Sequence, residues 1–103
     1  MTNFGLSEKT TQKLYSAFEK FPEIEKVIIF GSRAKGNYRE GSDIDITLIG
    51  ENLSHNILLK LLYEIDELNT PYLYDVSIFS KLTNEDFIEH INRVGKIFYQ
   101  KKT

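Results

Sequence analysis

The chain has 103 residues, with 13 Lys+Arg against 15 Asp+Glu, a formal charge of -2, no cysteine and no tryptophan. That length suits one domain, read as residues 1–103, and a 41% hydrophobic, 27% charged composition excludes extended disorder. The cysteine count excludes a disulfide scaffold, a thiolate zinc site and thiol catalysis, and the charge argues against direct nucleic-acid binding as a main role.

Leu14, Ala17, Phe18 and Phe21 recur at i, i+3, i+4 and i+7, which predicts a helix over residues 7–21, capped by Ser7 and stopped by Pro22. Val27-Ile28-Ile29-Phe30 is an unalternated β-branched run, as expected of a strand covered on both faces, and Gly31-Ser32 ends it. Residues 33–41 read as a polar turn with room for a short helical piece. Next, Ile44, Ile46 and Leu48 alternate with Asp43, Asp45 and Thr47, which predicts a strand with one apolar and one polar face, closed by Gly50. Ser54 caps a second long helix with a stripe of Ile57, Leu58, Leu61, Leu62, Ile65 and Leu68. Asn69-Thr70-Pro71 breaks it. A third strand is expected over residues 72–79, with Tyr74, Val76 and Ile78 on one face and Leu73, Asp75, Ser77 and Phe79 on the other. A last helix starts near Thr83, with Asp86 in a capping-box-like place and Phe87, Ile88 and Ile91 as its apolar face. Gly95 stops it, and Ile97-Phe98-Tyr99 adds an extended segment. The order α-β-β-α-β-α is too poor in strands for a doubly wound sheet. It predicts an α/β (α+β) fold: a small mixed sheet of three to four strands with helices packed on it.

No apolar run is long enough to span a bilayer, and residues 1–5 lack the basic and apolar regions of a signal peptide. The expectation is a cytoplasmic protein. His55 and His90 are too few for a histidine-rich metal site and are read as surface residues near helix ends. If a metal is present, carboxylates are its ligands, and these favour hard cations.

The chemistry concentrates in three places. Asp43 and Asp45 leave the same face of the second strand, roughly 7 Å apart at Cα from the strand rise. Carboxylates that close repel unless a cation lies between them or one is protonated. A lone Asp-x-Asp is commonly just a solvated strand face. Asp75, in the middle of an otherwise apolar strand, supplies a third carboxylate if the two strands are neighbours. Gly31-Ser32 offers backbone N–H groups that can approach a phosphate and a hydroxyl donor beside them; taken alone it is an ordinary strand-end turn.

Taken together, Gly31-Ser32-Arg33-Ala34-Lys35-Gly36, Arg39 and Ser42-Asp43-Ile44-Asp45-Ile46 resemble the signature of the DNA polymerase β-type nucleotidyltransferase superfamily: Gly-Ser, ten residues, Asp-x-Asp. The Arg-Ala and the Ser before the first Asp are similar to the minimal nucleotidyltransferase (MNT) group. Tyr74-Asp75-Val76 resembles its third-carboxylate strand, and Gly95-Lys96-Ile97-Phe98-Tyr99 its closing segment. The resemblance implies that Asp43, Asp45 and Asp75 are catalytic and hold two Mg²⁺ ions. It implies that Gly31 and Ser32 bind the triphosphate of ATP, with Arg33 and Ser42 on the nucleotide side. Ser42 also shapes the approach to its strand through a local hydrogen bond. Lys35 and Arg39 are either triphosphate contacts or, equally, solvated loop charges or partners of Glu40 in an ion pair.

So short a chain leaves little room to grip an acceptor, so a partner protein is expected to present it. The MNT group implies a HEPN-domain toxin partner, with AMP moved from ATP to a tyrosine on it and the MNT protein as antitoxin. The alternatives are a non-catalytic antitoxin or adaptor that masks its partner by contact, and transfer to a small molecule such as an aminoglycoside.

Overall fold

The computed structural model describes residues 3–102; Met1, Thr2 and Thr103, part of the expected single unit, lie outside the described residues. Four strands form one mixed sheet in the order β3-β2-β1-β4. The elements are α1 (Glu8–Glu19), β1 (Lys26–Phe30), α2 (Gly31–Lys35), β2 (Ile44–Ile49), α3 (His55–Glu67), β3 (Tyr74–Ile78), a 3-10 turn (Phe79–Lys81), α4 (Glu85–Val94) and β4 (Lys96–Gln100). The expected mixed sheet with packed helices is therefore present, with α2 and β4 added to the predicted order. Among the described residues no helix is long and apolar enough to cross a membrane.

Local signals account for most boundaries. Ser7 Oγ accepts from the Thr10 N–H and Ser54 Oγ from the Ile57 N–H, so each satisfies an otherwise unpaired N-terminal donor. The last helix begins one residue later than expected. Asn84, not Thr83, caps it by accepting from the Phe87 N–H, and this places Asp86 ahead of the capping-box position. The first helix ends at Glu19, before Phe21 and Pro22.

The β-strand period sorts side chains onto two faces. Val27, Ile29, Ile44, Ile46, Leu48 and Ile78 join Leu14, Ala17 and Phe18 of α1 and Leu61 and Ile65 of α3 in one core. On the opposite face, Phe30 meets the Phe87 ring edge-on, with centroids 5.4 Å apart, and α4 lies there. The unalternated first strand is thus covered on both sides. Thr47 departs from the expected solvated face. It is 0% exposed, accepts from the Ser77 hydroxyl at 2.9 Å and lies opposite Ser77 in the parallel β2–β3 register.

β4 pairs antiparallel with β1, and a bulge between Val27 and Ile28 leaves Phe98 as the extra residue. The bulge lets Phe98 and Tyr99 both reach the aromatic face of α1. Tyr15 and Phe18 lie 5.5 and 6.2 Å from the Phe98 ring, and 5.6 and 5.2 Å from Tyr99. The Tyr15 hydroxyl donates to the Phe98 carbonyl at 2.6 Å. Lys20 pairs with Glu64 to tie α1 to α3.

Candidate active site

β1 runs antiparallel to β2, and β2 runs parallel to β3. The C-terminal end of β1 and the N-terminal ends of β2 and β3 therefore meet at one end of the sheet. The register is specific: Phe30 stands opposite Asp45, and Asp45 opposite Asp75. Neighbouring strands lie about 5 Å apart, so paired residues on one face are direct neighbours. The adjacency of the second and third carboxylates, conditional in the sequence, is met in the fold. Asp43 lies just ahead of β2 rather than on it, exposed and two residues before Asp45.

Gly31 is the first residue of α2, immediately after β1, so the expected turn is a helix start. Its φ is +73°, and a Cβ there would overlap the Asp45 Oδ2 atom. The left-handed backbone favours glycine at this position, and a side chain there would also have to push the end of the Asp45 carboxylate aside. Ser32 follows, half-buried.

The electrostatics follow from this crowding. Burial lifts the Asp45 carboxyl above its ordinary pKa, and the charges of Asp75 and then Asp43 lift it further; His90 and Arg33 pull it back. The ion pairs among the described residues, Lys20–Glu64 and Arg93–Glu89, involve none of the three aspartates. Nor do any three His, Asp or Glu side chains among the described residues close on a common point as they stand. The site's donors are hard carboxylate oxygens under mutual repulsion. This donor set fits a divalent cation such as Mg²⁺, which takes one or two carboxylates and fills its other positions with water and phosphate oxygens.

Arg33 is placed differently from the triphosphate contact expected of it. Its side chain is 3% exposed, and its Nε, Nη1 and Nη2 all donate to backbone carbonyls of Ser42 and Phe4. Ser42 does make the expected local bond: its Oγ accepts from the Arg39 N–H at 2.8 Å. Lys35 and Arg39 are exposed, and neither pairs with Glu40.

His90, expected from the sequence to be a surface residue, lies beside the site. It projects from α4 with its ring edge-on to Phe30 at 6.3 Å, and its charge acts on Asp45. No spacing signal could have found it, because only the packing of α4 across β1 brings it there. His55 is exposed at the start of α3. Tyr72 stacks on Arg33, Tyr74 shares a 2.6 Å hydrogen bond with Thr70, and Tyr99 packs on α1. A groove of about 610 Å³ between α1 and β4, lined by Tyr15, Phe98 and Tyr99 among others, lies apart from the carboxylates.

A family model described as "Polymerase beta, Nucleotidyltransferase" matches residues 12–103. A Methanocaldococcus jannaschii protein with the provisional name protein adenylyltransferase is 32% identical over 79 residues, 74% of this chain and 79% of that protein. Among solved structures, a toxin–antitoxin crystal structure with AMP-PNP superposes with a TM-score of 0.69 at 17% identity, covering 89% of this chain and 74% of the other. A structure of a tri-AMPylated Shewanella oneidensis HEPN toxin in complex with MNT antitoxin gives 0.64 at 15% identity, covering 91% and 72%. At these identities the two structural matches establish a shared fold.

Proposed function

Because the chain belongs to the polymerase β nucleotidyltransferase family, we propose that it moves AMP from ATP onto a hydroxyl of a partner protein, a tyrosine of a cognate HEPN toxin, and acts as that toxin's antitoxin. The chain is a nucleotidyltransferase by family; the acceptor and the biological role are the proposal. The Methanocaldococcus jannaschii relative, named as a protein adenylyltransferase, supports protein as acceptor, and the AMP-PNP bound to one structural neighbour and the HEPN toxin bound to the other support an adenine nucleotide and a HEPN partner. One observation carries the reading: Asp45 and Asp75 stand in register on parallel strands, with Gly31 packed against the Asp45 carboxylate.

In this mechanism Gly31 and Ser32 receive the β- and γ-phosphates. Gly31 has no side chain to obstruct the approach, and the Ser32 hydroxyl is a donor. Asp43, Asp45 and Asp75 would hold Mg²⁺, two ions on the family's pattern, which when bound supplies charge neutralisation and lowers the pKa of the attacking hydroxyl. Asp75 is exposed on an edge strand and so is open to an acceptor. It takes the proton of the attacking hydroxyl. The acceptor oxygen bonds to the α-phosphorus, the bond from that phosphorus to the β-bridging oxygen breaks, and pyrophosphate leaves.

The test uses ATP labelled at the α-phosphate, Mg²⁺ and the protein encoded by the neighbouring gene. Label should appear on a tyrosine of that protein with wild type and be lost with Asp43→Asn. Neutralisation of the partner without any label, undiminished in Asp43→Asn, would instead establish masking by contact alone.

A further inference from the structure

Asp43 is the one site carboxylate outside a strand, yet the peptides on both sides of it are held. Arg33 donates to the Ser42 carbonyl from Nε at 3.1 Å and from Nη2 at 2.7 Å. On the other side, the Ile44 N–H donates to the Leu73 carbonyl at 2.9 Å. The third donor of Arg33, Nη1, goes to the Phe4 carbonyl at 3.0 Å. The guanidinium also contacts two aromatic rings, with centroids 5.4 Å away for Tyr38 and 4.9 Å for Tyr72.

A cation this buried is costly unless its donors are satisfied, and here carbonyls and ring faces satisfy it. The forked, planar geometry matters: a lysine could carry the charge but could not bond both carbonyls and stack. The N-terminal segment is shaped to match. Asn3 and Leu6 close on each other through two backbone hydrogen bonds, and Leu6 is fully buried. Gly5 has φ +77°, and a methyl on it would run into the Tyr38 ring and crowd Arg33 Nη1.

We propose that Arg33 is a positioning residue: it fixes Asp43 through the Ser42 carbonyl, with residues 3–6 as the anchor on its other side. This rests on the reading that Asp43 holds a divalent cation, and the experiment separates the two. Mn²⁺ alone serves as the probe. Its binding to the full chain is followed by electron paramagnetic resonance for wild type, Asp43→Asn, Arg33→Lys, Gly5→Ala and the Arg33→Lys/Gly5→Ala double variant. Thermal unfolding is recorded for each. Arg33→Lys should bind Mn²⁺ about tenfold more weakly, within the range known for residues that orient metal ligands. Gly5→Ala should weaken binding in the same direction, and the double variant should fall little below Arg33→Lys, because both act through one network. A purely structural arginine would lower the unfolding temperature and leave the Mn²⁺ affinity of the folded protein at the wild-type value. That result, in Arg33→Lys or in Gly5→Ala where the former does not fold, overturns the proposal. Equal binding by wild type and Asp43→Asn overturns the metal reading itself, and the role of Arg33 with it.

Discussion

Gly31 lies against the Asp45 carboxylate so closely that a methyl on its Cα would overlap Oδ2, and its φ of +73° is one that side-chain-bearing residues avoid. The first residue of α2 and the second carboxylate of β2 are thus a fitted pair. Gly31→Ala should therefore have two effects: backbone strain of about 1–2 kcal/mol, and a shift of the Asp45 carboxylate away from its place. Urea unfolding measures the first, and AMP transfer, expected to fall at least about tenfold, reports the second. An alanine variant with wild-type transfer would show that the fit is unimportant.

Asp45 sets up an opposition between stability and function. Its pKa is raised above the ordinary aspartate range by burial and then by Asp75 and Asp43, so the folded chain binds this proton more tightly than the unfolded chain does. Its contribution is most favourable below the unfolded pKa and is lost as pH rises through the folded one. At neutral pH, without divalent ions, ionised Asp45 therefore opposes folding. Asp45→Asn should melt higher than wild type at pH 7 in chelator, and the difference should shrink as pH falls into the carboxylate range. Added Mg²⁺ should raise the melting temperature of wild type more than that of the variant. Calorimetry across pH checks both signs.

Asp75 is exposed on an edge strand, so its removal should separate chemistry from folding. Asp75→Asn is expected to change stability by less than about 0.5 kcal/mol, as exposed substitutions usually do. Label transfer should nevertheless drop by about 100-fold or more, beyond the loss typical of residues that only orient a ligand. Full transfer by a folded Asp75→Asn protein would remove this residue from the mechanism.

The β4 edge makes the opposite separation. Phe98 is 3% exposed among Phe4, Tyr15 and Phe18, on the far side of β1 from β2. Phe98→Ala should cost about 3–5 kcal/mol, and Tyr15→Phe, which loses the bond to the Phe98 carbonyl, about 1 kcal/mol. Transfer per folded molecule should be unchanged in Tyr15→Phe, as measured at a temperature well below its unfolding transition.

Much of the molecule was legible from local pattern. Ser7 and Ser54 cap their helices because a cap needs only a side-chain oxygen and an N–H three residues on. Period-two alternation placed Ile44, Ile46 and Leu48 in the core. Thr83 and Asn84 were harder to tell apart, since both are capping types and only one is aimed at the Phe87 N–H.

By itself, the sequence determined the helices and strands, the spacing of Gly31-Ser32 from Asp43 and Asp45, and the presence of a third acidic residue on an apolar strand. These depend on neighbours a few positions apart. The tertiary structure decided which residues share a space. Parallel pairing of β2 with β3 put Asp75 beside Asp45, and packing of α4 across β1 brought His90 to the same face. Burial of Arg33 needed the carbonyl of Phe4, 29 residues earlier, and two tyrosine rings from separate segments. A polar side chain reads as exposed until the fold supplies the partners that make its burial affordable, so Arg33 and Thr47 changed their meaning only once the chain was folded.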